Sequence, residues 1–433
     1  MKIRRLSELH IEGYKEISIS NEPIEYLSPK SVFLPTQFPV PLAVKVEPGE
    51  HVKLGQVVME REGRFGHPIL SPISGTVKGT VKRWHQSNKM MPMLEIENDF
   101  KEELVDDFKN LNPEMMSRKE LIDVMRLSGL VGMGGAGFPT YAKYDTDKKV
   151  DMVLINLAEC EPFITCDYVN VLKNTDLLIY GLKYMLKAAD CDKGVIAVKD
   201  KEANKPLIEK LNSCLEPNMS LHLLRDIYPA GWERYIVEEC SKKTYKMLPI
   251  EAGCIVSNAT TAIAFGNTLK NGVPPSMKYV TFTGDSIVNP GNVLCKFGTN
   301  VTELLTLFGG IKEDVPRANL TLIAGGPMTG FGMFFEDFVT STTLGAVIAL
   351  KDKLEGKFTP HCLGCGTCAK HCPVFLSPYE IKRVMKTGNV EELKELQVTK
   401  CIQCGLCSYV CPSRIDLTAS VATAKELVRK LGR

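Results

Sequence analysis

The chain has 433 residues, of which 44% are hydrophobic and 24% are charged, and its formal net charge is +2 at pH 7. This length and composition predict a soluble protein of several domains. The near balance of charge gives no electrostatic case for binding to nucleic acid, and no strong case for binding to an anionic membrane surface. No apolar run approaches the ~18 residues of a transmembrane helix, and the first eight residues lack the apolar segment of a signal peptide.

Residues 1–105 are predicted to form a β-rich module, because short alternating runs are separated by Gly and Pro. The stretches Pro41–Val58 and Pro68–Val77 supply two hairpins that resemble the sandwich of biotinyl and lipoyl carrier domains. The modified lysine of such a carrier would lie at the tip of the second hairpin. Ser74 and Gly75 stand there instead, so we expect a structural module and not a carrier.

Residues 113–128 have the apolar spacing of an amphipathic helix, which leads into a glycine-rich loop. The segment Gly132–Gly137 contains four glycines in six residues, so its backbone amides can approach a planar or anionic ligand closely. Lys143 adds a cation within reach of a phosphate. The alternative is a flexible turn, but Phe138–Thr140 stiffens the exit from the loop.

An alternation of strands and helices follows and favours a three-layer core with a mostly parallel sheet over residues 106–275. The predicted elements are a strand at Met152–Leu157, a helix at Tyr168–Ala188, a strand at Gly194–Val198, a helix at Pro206–Leu215 and a strand at Leu221–Leu224. Glu159 and Glu161 follow the first strand, at the edge where ligands of open α/β sheets bind. The alternative is a solvated acidic loop. Residues 276–350 are predicted to form a small mixed β module.

Two cysteine runs, Cys362–Pro373 and Cys401–Pro412, lie in a predicted α-helical domain at residues 351–433. Each has the spacing C-x2-C-x2-C-x3-C-P, which is typical of ferredoxins with two [4Fe-4S] clusters. The fourth cysteine of each run normally binds the other cluster. We therefore assign one cluster to Cys362, Cys365, Cys368 and Cys411, and the other to Cys401, Cys404, Cys407 and Cys372.

Zinc and disulfides are the alternatives to iron–sulfur clusters. Zinc is normally held by two separated ligand pairs and not by a quartet with a trailing proline, and nothing suggests the export that disulfides require. The other seven cysteines have no ligand spacing and are predicted to be free thiols of a reducing cytosol: Cys160, Cys166, Cys191, Cys214, Cys240, Cys254 and Cys295.

The glycine loop Gly132–Thr140 together with Asn156–Pro162 resembles the RnfC subunit of the Rnf electron-transport complex. More distantly, it resembles the flavin- and NADH-binding subunit of respiratory complex I. The resemblance covers nearly the whole chain and implies a multidomain α/β protein. Its parts would be the barrel-sandwich module, a Rossmann-like core for FMN and NADH, a β-grasp module of the soluble-ligand-binding (SLBB) type and the two-cluster ferredoxin-type domain.

The resemblance also implies a set of cofactor-binding residues. FMN would lie beneath the glycine loop, and its implied contacts are Gly132, Gly134, Gly135, Lys143 and Asn156, with Asn258 and Thr261 at a helix start near the phosphate. NADH would dock over the FMN, and its implied contacts are Glu159, Glu161, Phe138 and Glu233. For the loops that carry Glu233 and Asn258, a plain helix cap is the alternative.

The function that the resemblance implies is NADH oxidation, with electrons passing through FMN and two [4Fe-4S] clusters to a partner protein. No catalytic side chain is predicted, because the cofactor carries out hydride transfer. The partner would be a reductase subunit, a ferredoxin or the membrane subunits of an Rnf-type complex. Two alternatives stay open: an iron–sulfur carrier that does not bind NADH, and a cobalamin-reductase-like enzyme.

We expect a cytoplasmic protein that is soluble or peripheral on the cytoplasmic face of a membrane. Two departures from the family pattern favour a soluble relative. One is the sequence Pro35–Pro41, and the other is the short segment after a predicted helix at Asp416–Leu431.

Overall fold

The computed structural model describes residues 9–37, 40–351 and 361–431. Our interpretation of the first eight residues lies outside this part of the chain, as does that of positions 38 and 39 within Pro35–Pro41. No helix in the described ranges combines the length and apolar character needed to cross a membrane.

The N-terminal module is a β-sandwich, as predicted. The elements up to residue 98 are α1 (Glu16–Ile19), β1 (Ile24–Tyr26), β2 (Ser31–Pro35), β3 (Ala43–Val44), β4 (His51–Val52), β5 (Val57–Arg61), β6 (His67–Leu70), β7 (Gly75–His85) and β8 (Lys89–Asn98). Two antiparallel sheets, ordered β2-β8-β7-β4 and β3-β5-β6, enclose an apolar core around Val32, Val58 and Ile73. Ser74 is buried and donates a hydrogen bond to Asp99 (2.6 Å), which fits a structural module.

A parallel sheet with helices on both faces forms the next module. Its elements are α2 (Arg118–Leu127), α3 (Tyr141–Tyr144), β9 (Met152–Leu157), α4 (Cys166–Lys173), α5 (Thr175–Ala189), β10 (Gly194–Lys199), α6 (Lys205–Cys214), β11 (Met219–Leu224), α7 (Glu233–Ser241), β12 (Cys254–Asn258) and α8 (Ala259–Asn271), with 3-10 turns at Glu202–Asn204 and Pro249–Ala252. The strand order is β11-β10-β9-β12, and all three pairings are parallel. Apolar clusters on both faces bury the central strands β9 and β10, which is why these two strands are nearly continuous apolar runs.

Two predicted helices have different bounds in the structure. The helix predicted at Tyr168–Ala188 is two helices, because Asn174 leaves the helical conformation (φ −125°) and its N–H still closes the last turn of α4. The helix predicted over residues 113–128 begins only at Arg118. Ser117 and Glu120 form a reciprocal capping box there, which sets the start of α2.

The third module contains a mixed sheet and a helix of its own that packs against it. Its elements are β13 (Met277–Thr283), β14 (Gly291–Lys296), α9 (Val301–Leu307), β15 (Leu320–Ala324), β16 (Phe331–Met333) and β17 (Ala346–Lys351), with a 3-10 turn at Arg317–Asn319. The sheet order is β1-β14-β13-β17-β15-β16. Strand β1 therefore belongs here and not to the N-terminal module in which we predicted it. It pairs in parallel with β14, with Ile24 opposite Val293, and such a long-range pairing leaves no turn signal in the sequence.

The C-terminal domain is helical, as predicted. It contains α10 (Thr367–Lys370), α11 (Pro378–Met385), α12 (Val390–Glu395), α13 (Leu406–Tyr409) and α14 (Leu417–Leu431), with a 3-10 turn at Val398–Lys400. Its core includes Ile381, Leu393 and Val421, and Trp232 of the parallel-sheet module packs against this core. The cysteine domain is thus docked on the module that carries the glycine loop.

Candidate functional site

The carboxyl ends of β9 and β12 form one edge of the parallel sheet. Asn156 and Asn258 lie opposite each other in the register of these strands. The glycine loop, the segment 158–165 and the start of α8 all lie at this edge, where open α/β sheets bind their ligands.

The glycine loop, residues 131–140, is closed by its own backbone and fastened to α8. The N–H of Gly132 donates to the carbonyl of Phe138 (2.9 Å). The hydroxyl of Thr261 accepts from the N–H of Met133 (2.9 Å). Thr261 therefore holds the loop in place, and its predicted contact with a phosphate stays a prediction.

At Gly134 the loop passes so close to the start of α8 that a larger residue would have to displace the side chain of Asn258. A Cβ on Gly134 would lie 2.2 Å from Nδ2 of Asn258, whereas a Cβ on Gly135 would meet no described atom within 4 Å. Asn258 caps α8 by accepting from the N–H of Thr260 (2.8 Å). The N-terminus of this 13-residue helix carries partial positive charge, and with the glycine loop packed against it this end of the helix fits an FMN phosphate.

Two predicted polar contacts, Lys143 and Asn156, are already engaged within the protein. Lys143 donates from Nζ to the carbonyl of Val256 (2.7 Å), and burial lowers its pKa while Glu233 opposes that shift. Asn156 donates from Nδ2 to the carbonyl of Gly231 (3.0 Å). These residues join the loops around the sheet edge, so any contact with a cofactor would use their remaining hydrogen-bonding capacity.

The two predicted carboxylates fasten different segments to this edge. Glu159 forms an ion pair with Lys15 (3.2 Å), and it accepts from the N–H of Asp167 (2.8 Å). Glu161 accepts from the N–H of Met328 (3.1 Å), in the turn between β15 and β16. Burial raises the pKa of both Glu159 and Glu161.

The raised pKa of Glu161 predicts a specific pH dependence of stability. The native chain holds the carboxyl proton of Glu161 more tightly than the unfolded chain does. The contribution of this proton to folding stability is therefore complete below the usual glutamate pKa, and it is lost as the pH rises through the pKa of Glu161 in the native chain. Glu161→Gln stays neutral and keeps one acceptor for Met328. We therefore expect its free energy of unfolding, relative to the wild type, to be higher at about pH 8 than at about pH 4.

Urea denaturation at both pH values measures this difference. Glu62→Gln, at an exposed position, is the control. An equal pH dependence in the two variants would contradict the prediction.

Phe138 lies at the rim of the site. Its ring is 38% exposed and contacts the edge of Phe65, with 5.1 Å between the ring centroids. Phe65 comes from the turn between β5 and β6, so the N-terminal sandwich reaches the exit of the glycine loop. The exposed part of the Phe138 ring is free of the Phe65 contact, and its stacking against a nucleotide stays a prediction.

Lys15 and Asp167 also belong to this site, although neither was predicted from the sequence. Asp167 accepts hydrogen bonds from Nδ2 of Asn258 (2.7 Å) and from the hydroxyl of Thr260 (2.8 Å). An acidic residue in the first turn of a helix next to the predicted edge is a signal that could have suggested Asp167. Lys15 has no comparable signal, because a single lysine far away in sequence does not indicate its partner.

The first predicted set of cysteines lines one cavity. The cavity has a volume of about 170 Å³, and its wall includes Cys362, Cys365, Cys368 and Cys411. The N–H of Gly364 points at the sulfur of Cys362 (3.3 Å). Four convergent thiols with a backbone amide aimed at sulfur fit the donor set of a [4Fe-4S] cluster.

The second predicted set also comes together. Burial, followed by the neighbouring thiols of Cys372, Cys407 and Cys401, raises the pKa of Cys404 to about 12. The N–H groups of Leu376 and Gln403 donate to the sulfurs of Cys372 and Cys401, each at 3.3 Å. The fourth cysteine of each run thus lies with the other run, as the spacing predicts.

Replacing one ligand in each set tests the assignment. A reconstituted wild-type chain should hold about eight iron atoms, and Cys365→Ala or Cys404→Ala should each reduce this to about four. Iron analysis and the dithionite-reduced EPR spectrum measure the loss. Cys214→Ala replaces an exposed cysteine outside both runs and is the matched control. An unchanged iron content in either ligand variant would refute the assignment of that cysteine to its cluster.

Comparisons with known proteins agree with this division of the chain. Family models match four segments: the RnfC barrel sandwich hybrid domain (7–101), the Nuo51 FMN-binding domain (125–266), the SLBB domain (279–332) and the 4Fe-4S dicluster domain (361–416). A relative from Clostridium ljungdahlii, which is one subunit of a proton-translocating ferredoxin:NAD(+) oxidoreductase complex, is 31% identical over 388 residues, which are 87% of this chain and 83% of the relative. The chain belongs to the RnfC family. The family predicted from the sequence is confirmed.

Other relatives and one solved structure extend the comparison. A relative from Acetobacterium woodii, which is one subunit of a Na(+)-translocating ferredoxin:NAD(+) oxidoreductase complex, is 29% identical, over 85% of this chain and 84% of the relative. The NAD+-reducing [NiFe]-hydrogenase in the H2-reduced state is 16% identical with a TM-score of 0.51, and the match covers 74% of this chain and 62% of that one. This last likeness concerns the fold alone. With an FMN-binding domain and a 4Fe-4S dicluster domain, this RnfC-family protein is an electron-transfer oxidoreductase subunit, as predicted.

Proposed function

We propose that this chain oxidises NADH at the glycine-loop edge of its parallel sheet and passes the electrons through two [4Fe-4S] clusters to a partner protein. The observation that carries the proposal is the position of the glycine loop on the capped N-terminus of α8, with Gly134 against Asn258. The cysteine domain is docked on the same module through Trp232. The FMN-binding and dicluster family models, together with the names of the relatives, support the same conclusion.

Bound FMN supplies the conversion of a two-electron hydride transfer into one-electron steps. The side chains around the FMN site hold the surrounding loops and offer contacts that position the nucleotide. The carboxylate of Glu161 is fixed by Met328, and its remaining lone pairs can accept from the ribose or amide groups of a nucleotide. The exposed ring of Phe138 offers a stacking surface at the rim. Lys143 and Asn156 keep the surrounding loops rigid through buried hydrogen bonds.

The partners that this function implies are the other subunits of an Rnf-type complex, a ferredoxin or a dedicated reductase. Two relatives are named as subunits of complexes that act between ferredoxin and NAD(+). We therefore place the chain in the cytoplasm, where NAD(H) is available, either free or on the inner face of a membrane.

An anaerobic visible spectrum of the protein reconstituted with iron, sulfide and FMN tests this function. Addition of NADH should bleach both the flavin band and the broad cluster absorbance. Bleaching by dithionite but not by NADH, with FMN bound, would refute NADH oxidation and leave an iron–sulfur carrier fed by a partner. Adding cob(III)alamin as acceptor separates the cobalamin-reductase alternative, because only that enzyme should reduce it faster than a viologen dye.

A further inference from the structure

The two cysteine loops have different surroundings, although their cysteine spacings match. Gly366 and Gly405 both follow the second cysteine of a run, and both have a left-handed backbone (φ 70° and 80°). A Cβ on Gly366 would meet nothing within 4 Å in the part of the chain that the structure describes. A Cβ on Gly405 would lie 2.5 Å from the carbonyl oxygen of Met328. The loop Cys401–Cys407 is therefore packed against the turn between β15 and β16.

Met328 connects this loop to the candidate flavin site. Its N–H donates to Oε2 of Glu161 (3.1 Å), while its carbonyl lies against Gly405. The turn is thus held between a carboxylate at the sheet edge and the backbone next to a predicted cluster ligand.

Tyr228 makes a second, independent connection. Its side chain is buried, and its hydroxyl donates to the carbonyl of Cys404 (2.8 Å). Tyr228 lies in the segment between β11 and α7, so this hydrogen bond joins the parallel-sheet module to the backbone of one predicted cluster ligand.

The other cysteine loop faces outward. Cys365 is exposed, and the side chain of Leu363 is 69% exposed. Among the described residues, none outside the C-terminal domain forms a hydrogen bond with Cys362–Cys368. This loop lacks the two connections that hold Cys401–Cys407.

We propose that Tyr228, Met328 and Gly405 are positioning residues that make the Cys401–Cys407 loop the inner cluster site. The cluster held by Cys372, Cys401, Cys404 and Cys407 takes electrons from the flavin first, and the cluster of the Cys362–Cys368 loop delivers them to the partner. This inference rests on the proposed function. Complete oxidation of one reduced flavin releases two electrons, which pass to the clusters, and one proton, which passes to solvent. The inner cluster passes on the first electron before it takes the second, so each cluster gains one.

Ligand variants test the order of the two sites. The flavin in Cys404→Ala and Cys365→Ala protein is reduced by light and a tertiary amine, without NADH, and cluster absorbance is followed over time. The cluster that remains in Cys365→Ala should be reduced as in the wild type. The cluster that remains in Cys404→Ala should be reduced by dithionite but several-fold more slowly by the flavin. Equal rates in the two variants would overturn the proposal, and because no nucleotide is present, a failure of NADH oxidation cannot produce this result.

Glycine variants test the positioning residues without removing a ligand. Gly405→Ala and Gly366→Ala carry the same backbone strain, but only the first displaces the contact with Met328. Iron content and the EPR spectrum after dithionite establish that both clusters are present. We expect light-driven transfer from flavin to cluster to slow several-fold in Gly405→Ala and in Tyr228→Phe, and to remain unchanged in Gly366→Ala. Unchanged transfer in both Gly405→Ala and Tyr228→Phe would overturn the role of these residues.

Discussion

Replacing Lys15 with Met should lower the free energy of unfolding by about 3–5 kcal/mol, which is the usual result of removing one partner from a buried ion pair. The side chains of Lys15 and Glu159 are each only 10% exposed, and their charged atoms are 3.2 Å apart. Without the ammonium group, Glu159 would be a buried carboxylate without its counter-ion. Because burial already raises the pKa of Glu159, protonation should reduce the loss as the pH falls.

Two further variants distinguish the stability that is lost with the ion pair from the stability that is lost with side-chain packing. Lys15→Met/Glu159→Gln removes both charges and should recover much of the lost stability, since no buried charge remains. Lys173→Met removes an exposed ion pair with Glu22 and should cost at most about 1 kcal/mol. Urea denaturation followed by circular dichroism measures all three. If the single and double variants at Lys15 were equally unstable, the loss would come from packing and not from charge.

Replacing Gly134 with Ala should weaken FMN binding by roughly 10- to 100-fold, because overpacking of about 1–3 kcal/mol corresponds to this range of affinity. The new Cβ would lie 2.2 Å from Nδ2 of Asn258. Either the glycine loop or the side chain of Asn258 must then move. A displaced Asn258 would lose its hydrogen bonds to Thr260 and Asp167, which shape the start of α8.

Gly135→Ala is the matched control, because its Cβ would enter space that is open in the described chain. We expect that control to change affinity only slightly unless the cofactor itself fills this space. Quenching of FMN fluorescence on titration with cofactor-free protein measures the dissociation constants. Wild-type affinity in Gly134→Ala protein would show that the loop adapts, and would remove this glycine from the predicted site.

The features that could be predicted from the sequence depend on short-range geometry. The C-x2-C-x2-C-x3-C-P runs predict two cluster sites because cluster ligation restricts the spacing of neighbouring cysteines. The glycine loop, the strand before Glu159 and the alternation of strands and helices are local patterns of the same kind. They were enough to indicate the family and the fold class, and they also suggest the residues of the candidate site, which stay predictions.

Only the tertiary structure decided which distant segments meet. Lys15 lies 144 positions from Glu159, and Tyr228 lies 176 positions from Cys404. Strand β1 joins a sheet whose other strands begin at Met277. Such contacts follow from the burial of whole faces, which many residues determine together, so no single residue carries a signal for them. The residues that carry the local chemistry of this protein can therefore be predicted from its sequence. The proposed path of electrons between its flavin and cluster sites depends instead on how the modules pack.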